Sequence, residues 1–128
     1  MAQISSCRDL SVWQKAMDLV VDCYTLTRAL PRDEDFVLKL QIRRAAVSIP
    51  SNIAEGHGRT GVPEYLHHLS IAHGSLMELE TQLLITVRLE YLRQEQINGV
   101  LSATEEISRM LKGLMRRLRE RTRDPNTT

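Results

Sequence analysis

Apolar residues recur at alternating spacings of three and four along four stretches of this chain, the period of an α-helix buried along one stripe. Each stretch predicts one helix. In the first, about 12–30, Trp13, Met17, Val20, Tyr24 and Thr27 form the stripe expected to face inward. Ser11 and Gln14 have the spacing of a capping box at its start, and Pro31 stops it. In the third, about 62–90, Tyr65, Leu69, Ala72, Leu76, Leu79, Leu83 and Val87 repeat in one stripe, with Leu66 and Leu84 on a flank. Pro63 and Glu64 suit its first turn. In the fourth, about 94–121, Ile97, Val100, Thr104, Ile107, Leu111, Leu114 and Leu118 keep strict three-four spacing.

The second stretch, about 34–56, is apolar on two sides. At about 100° per residue, Leu38, Ile42, Ala45, Ile49 and Ile53 fall within about 80° of one another, while Phe36, Leu40, Val47 and Ala54 gather opposite them. A short chain has little left to cover the second face. The expectation is a homo-oligomer interface at Phe36, Leu40, Val47 and Ala54. Pro50 removes one backbone donor, which predicts a kink or irregular turn. Gly56, His57 and Gly58 predict an exit through a left-handed glycine cap.

Connections of about three to five residues cannot run the length of a helix, so the expected fold is an all-α, antiparallel up-down-up-down four-helix bundle over 9–121. Residues 1–8 read as an unpatterned leader and 122–128 as a disordered tail.

Composition fits that picture. With 128 residues and only 4% aromatic side chains, the core must be built from aliphatic residues, which favours helix packing over a sandwich. No run approaches the roughly 20 apolar residues of a membrane span, and the start lacks a secretory pattern, so a cytoplasmic protein is expected. Cys7 and Cys23 are too few and too irregular for a disulfide framework.

The net charge of +1 hides an asymmetry. Residues 109–123 hold seven basic side chains (Arg109, Lys112, Arg116, Arg117, Arg119, Arg121, Arg123) against one acidic, a net +6; the rest holds ten basic against fifteen acidic, a net −5. Such a patch either complements a helix C-terminus and stays solvated or attracts a polyanion. Aromatic residues for base stacking are missing from it, so binding of RNA or DNA there would be electrostatic. Arg59, in the loop after the second helix, is a further candidate. The rival reading is a scaffold whose basic end docks an acidic protein. Arg43 and Arg44 also divide two ways, into an ion pair with Glu78 and Glu80 or a phosphate contact.

Enzymatic chemistry finds little footing. Glu64 and His67 match half of a di-metal motif, but His67 points away from the stripe and no second Glu-x-x-His exists, so neither metal nor cofactor is expected. Ser48, Ser51 and Ser75 lack a nucleophile elbow. Gly56-x-Gly58-x-x-Gly61 follows no strand and lacks the phosphate-loop lysine.

Three ordered blocks, LSVWQKAMDLV, LQIRRAAVSIPSNIAEGHGR and YLHHLSIAHGSLMELETQL, closely resemble the four-helix-bundle proteins encoded by intervening sequences of bacterial large-subunit (23S) rRNA genes. The likeness runs over roughly 9–118, with departures at Gly61, where a serine cap is usual, and at Glu90, where a glycine would ease the exit. The resemblance implies a ring-shaped homo-oligomer, commonly a pentamer. It also implies kinship with the accessory variability determinant of diversity-generating retroelements, a basic ring that engages RNA and a reverse transcriptase.

Overall fold

The computed structural model describes residues 6–123, with the side chains of Asp9 and Arg123 outside that description. Four α-helices account for most of it: α1 (Ser11–Thr27), α2 (Leu38–His57), α3 (Val62–Arg88) and α4 (Gln94–Arg123). Short 3-10 turns at Cys7–Asp9 and Arg32–Glu34 precede α1 and α2, and no strand occurs among the described residues. The fold is all-α. Each helix packs on two neighbours, α1 and α3 both on α2 and on α4, enclosing one aliphatic core.

The α3 and α4 stripes lie inward as their spacing predicts. Leu69, Ala72, Leu76, Leu79 and Leu83 are buried, as are Ile97, Val100, Thr104, Ile107, Leu111 and Leu118. Leu84 is 45% exposed, so that flank is open.

Helix α1 is rotated by one position from the expected stripe. Val12, Ala16, Leu19, Cys23 and Thr27 face the core, whereas Met17 is 42% and Tyr24 38% exposed. Thr27 is common to both sets and is buried as expected; the other four of each share the same three-four spacing and differ by about 100° of rotation. The smaller residues, Ala16 and Cys23, take the places where α1 is enclosed by its neighbours. Buried there, the Cys23 thiol is pushed up from 9.0 to about 12, with the nearby Asp22 carboxylate adding to the effect of burial.

The start of α1 also differs. Leu10 is its N-cap, with no side-chain cap bond, and the Gln14 amide donates instead to the Arg8 carbonyl at 2.8 Å. That bond ties the first helix to the 3-10 turn, itself held by the Ser6 hydroxyl accepting from the Arg8 N–H at 3.2 Å. Part of the expected leader is therefore structured; residues 1–5 and 124–128 lie outside the described residues, and the expected tail begins while α4 is still helical.

Helix α2 remains helical across Pro50, which is buried. Its exit uses no left-handed glycine: Gly58 caps it at φ −79° and no glycine among the described residues has positive φ. Gly56 matters for distance. A Cβ there would stand 2.8 Å from the His68 Cβ and 3.0 Å from the Tyr65 ring, so its bare backbone lets α2 approach α3.

The left-handed residue is Glu90, at φ 63°. Its N–H reaches the Val87 carbonyl at 3.0 Å while the Tyr91 N–H reaches Thr86 at 2.9 Å, the two bonds of a Schellman ending. The Tyr91 hydroxyl then donates to Glu34 at 2.9 Å, joining this corner to the approach to α2. That bond, ahead of burial and the charges of Glu34 and Asp33, raises the phenol above its usual range.

No helix among the described residues is long and apolar enough to cross a membrane.

Candidate basic interface

The second half of α4 buries Ile107, Leu111, Met115 and Leu118 on one side and leaves Arg109, Lys112, Arg116, Arg117, Arg119 and Arg121 exposed on the rest of its circumference. The periodicity that sets the core thus spreads the cations around the outer arc. None of these six is ion-paired with a carboxylate among the described residues; the ion pairs there lie elsewhere, such as Lys15 with Glu106 at 2.9 Å and Lys39 with Asp35. Arg123 belongs to α4, but its side chain lies outside the described residues.

Three of the six line a cleft and three do not. Arg109, Arg116 and Arg117 line a cleft of about 530 Å³ between α4 and the start of α1, where Leu10, Ser11 and Val12 form the opposite wall. Lys112, Arg119 and Arg121 are exposed and do not line it.

Arg59 is placed differently. Its guanidinium donates to the Glu55 carboxylate at 2.8 Å, one helical turn back, and it lines a shallow cleft with Glu64, His67 and His68. Its charge is partly answered within the chain.

Arg43 and Arg44 do not meet Glu78 or Glu80 in an ion pair among the described residues. Arg43 closes the end of α1 instead. Its Nε donates to the Thr27 hydroxyl at 3.0 Å and Nη2 to the Tyr24 carbonyl at 3.3 Å, while the guanidinium lies 4.4 Å from the Tyr24 ring centre. A cation at a helix C-terminus and over an aromatic face is favourable twice over. Arg44 shares a cleft with Glu78 and Ser75, and Glu80 accepts from the Thr104 hydroxyl at 2.8 Å.

Sequence reasoning missed a polar seam between α2 and α3. The Ser75 hydroxyl donates to Ser48 at 2.8 Å; the Asn52 amide nitrogen donates to the Ser48 carbonyl and hydroxyl at 2.9 and 3.0 Å; and Asn52 Oδ1 meets His68 Nδ1 at 3.1 Å. Because the Asn52 oxygen only accepts, the His68 ring carries its proton on Nδ1 in this arrangement. A signal was present: Gln41, Arg44, Ser48, Asn52 and Glu55 line one flank of α2 beside the buried stripe.

The expected interface residues lie outward, Leu40, Val47 and Ala54 on α2 and Phe36 ahead of it, since α2 begins at Leu38 and not near 34. Phe36 is 88% exposed, Leu40 and Val47 are also exposed, and Ala54 is half-buried. Val47, Pro50 and Ala54 form a shallow apolar groove with Trp13, Met17 and Val20 of α1, so the displaced α1 stripe and the outer α2 face make one surface. Among the described residues no group of three or more His, Cys, Asp or Glu side chains is placed to hold a metal ion.

These features define, among the described residues, an all-α protein of four helices, with six exposed cations on α4 that have no carboxylate partner there and an apolar face turned outward. The chain belongs to the 23S rRNA-intervening sequence protein family, whose model matches residues 8–113. It is similar to the crystal structure of a protein of unknown function from the S23 ribosomal protein family of Bacteroides thetaiotaomicron, at 28% identity and a TM-score of 0.76, over 81% of this chain and 97% of that one. No curated protein matches the chain. Arg116, Arg117, Arg119 and Arg121 follow the matched stretch, so membership itself carries no information about them.

Proposed function

We propose that this protein is a non-enzymatic, cytoplasmic, homo-oligomeric bundle that binds structured RNA, or DNA of similar charge density, through the basic end of α4. The observation that carries the reading is the lack of ion pairing at Arg109, Lys112, Arg116, Arg117, Arg119 and Arg121 among the described residues. Exposed cations with no carboxylate to release bind phosphate without first breaking an internal contact. In this reading the helices run up-down-up-down, and the apolar surface of Trp13, Met17, Val47 and Ala54, continued by Leu40 and Phe36, closes a ring of subunits, five by family resemblance. A ring repeats the basic end in every subunit and strengthens its field.

Fluorescence polarisation with labelled structured RNA and duplex DNA across a salt series tests the binding. Micromolar or tighter affinity, with log K falling linearly in log salt and lost on charge reversal of Arg116, Arg117 and Arg119 to Glu, is the expected result. No binding at low salt overturns it and moves the basic end to an acidic protein partner. Sedimentation of Val47→Glu tests the ring: a variant that assembles like wild type removes this face from the interface.

A further inference from the structure

Among the described basic residues of α4, Arg109, Arg116 and Arg117 line a cleft, and Lys112, Arg119 and Arg121 do not. Arg109, Arg116 and Arg117 stand at spacings of seven and one along the helix and line the cleft against the start of α1. Gly113 forms part of the same wall. Arg117 Nη1 lies 3.4 Å from where a Cβ on Gly113 would stand, an ordinary van der Waals distance, so this guanidinium lies along α4 beside Gly113. The facing wall brings Leu10, Ser11 and Val12, and among the described residues no carboxylate lines the cleft. At about 530 Å³ it admits a phosphodiester with its hydration. Lys112, Arg119 and Arg121 are exposed outside it.

We infer that this cleft is a specific seat for one backbone phosphate of a bound nucleic acid, with Arg109, Arg116 and Arg117 as its ligands and Lys112, Arg119 and Arg121 supplying only long-range attraction. The inference rests on the nucleic-acid reading above and goes further by dividing one charged patch into a site and a field. Guanidinium forks match phosphate oxygens in pairs, whereas a diffuse field depends on charge alone. The two parts therefore respond differently to substitutions that change charge equally.

The test is polarisation binding of a labelled structured RNA at fixed salt to single variants Arg116→Gln, Arg117→Gln, Lys112→Gln and Arg119→Gln, with Arg117→Lys as the charge-preserving arm. Each variant's melting curve is measured alongside. Arg116→Gln and Arg117→Gln are expected to weaken binding about tenfold each, against about twofold for Lys112→Gln and Arg119→Gln. Arg117→Lys is expected to lose about threefold despite keeping its charge. Equal losses at all four positions with Arg117→Lys like wild type overturn the seat while leaving nucleic-acid binding intact. No RNA binding by the wild type overturns both.

Discussion

Along the α2–α3 seam, Ser48, Asn52, His68 and Ser75 all find partners within the chain, while along the last turns of α4 Arg116, Arg117, Arg119 and Arg121 have no carboxylate partner among the described residues. Both regions are polar and both sit on long helices. The difference lies in what each side chain loses if its surroundings change. A half-buried amide or hydroxyl deprived of its partner is left desolvated, which costs stability; an exposed arginine deprived of a neighbour keeps its water. Polar residues of the seam thus hold the fold, and those of α4 are free for an external anion.

Substitutions separate the two regions by size of effect. Gly56→Val puts two methyl groups and a Cβ into space already taken by the His68 Cβ and the Tyr65 ring, and is expected to destabilise by about 3 kcal/mol in urea unfolding. A variant as stable as wild type would mean that the α2–α3 approach is not tight at Gly56. Asn52→Ala removes the contacts to Ser48 and His68 together, with an expected loss of about 2 kcal/mol by the same assay.

The buried thiol of α1 extends the contrast to titration. Its pKa is pushed up from 9.0 to about 12, so the folded state keeps its proton where the unfolded chain releases it. The associated stability is fully present below pH 9.0 and is lost as pH rises towards 12. Relative to pH 8, wild type is expected to lose about 1.4 kcal/mol more than Cys23→Ala by pH 10. Parallel urea curves for the two proteins at both pH values check this; an identical alkaline loss would mean that Cys23 is not held protonated.

Smallest of all should be the double variant Arg119→Gln and Arg121→Gln, whose thermal stability is expected to stay within about 0.5 kcal/mol of wild type. A larger loss would show that these arginines hold the fold after all.

Much of this was legible in the sequence. The α3 and α4 stripes are made of large aliphatic residues with one possible phase, so their burial follows from spacing. In α1 two stripes compete, Trp13-Met17-Val20-Tyr24 and Val12-Ala16-Leu19-Cys23, and size misleads, because the interior selects what fits between α2 and α4. The α4 cations were legible because charge is counted directly; their division between cleft and open surface depends on where α1 begins. Glycine between two helices reads as a turn signal, yet Gly56 serves as a spacer. Neither a carboxylate nor a phosphate was the partner Arg43 meets, because no local pattern reveals that the end of α1 and the Tyr24 ring lie beside it.

Helix α4 has thirty residues against seventeen in α1, or about 45 Å of axis, and among the described residues its last buried side chain is Leu118. The turn from Arg119 to Thr122, all exposed, therefore rests on its own backbone bonds, without packing to protect it. Amide hydrogen exchange should register this as a gradient, with the amides of Arg119 to Arg121 exchanging near the free-chain rate and those around Ile107 and Leu111 persisting to the limit set by global opening. A nucleic acid seated at Arg116 and Arg117 would steady the turn that follows them, slowing the fast end and leaving the slow one almost unchanged. Binding then carries an ordering cost confined to about one turn of helix, and the same residues that supply the charge report their own occupancy.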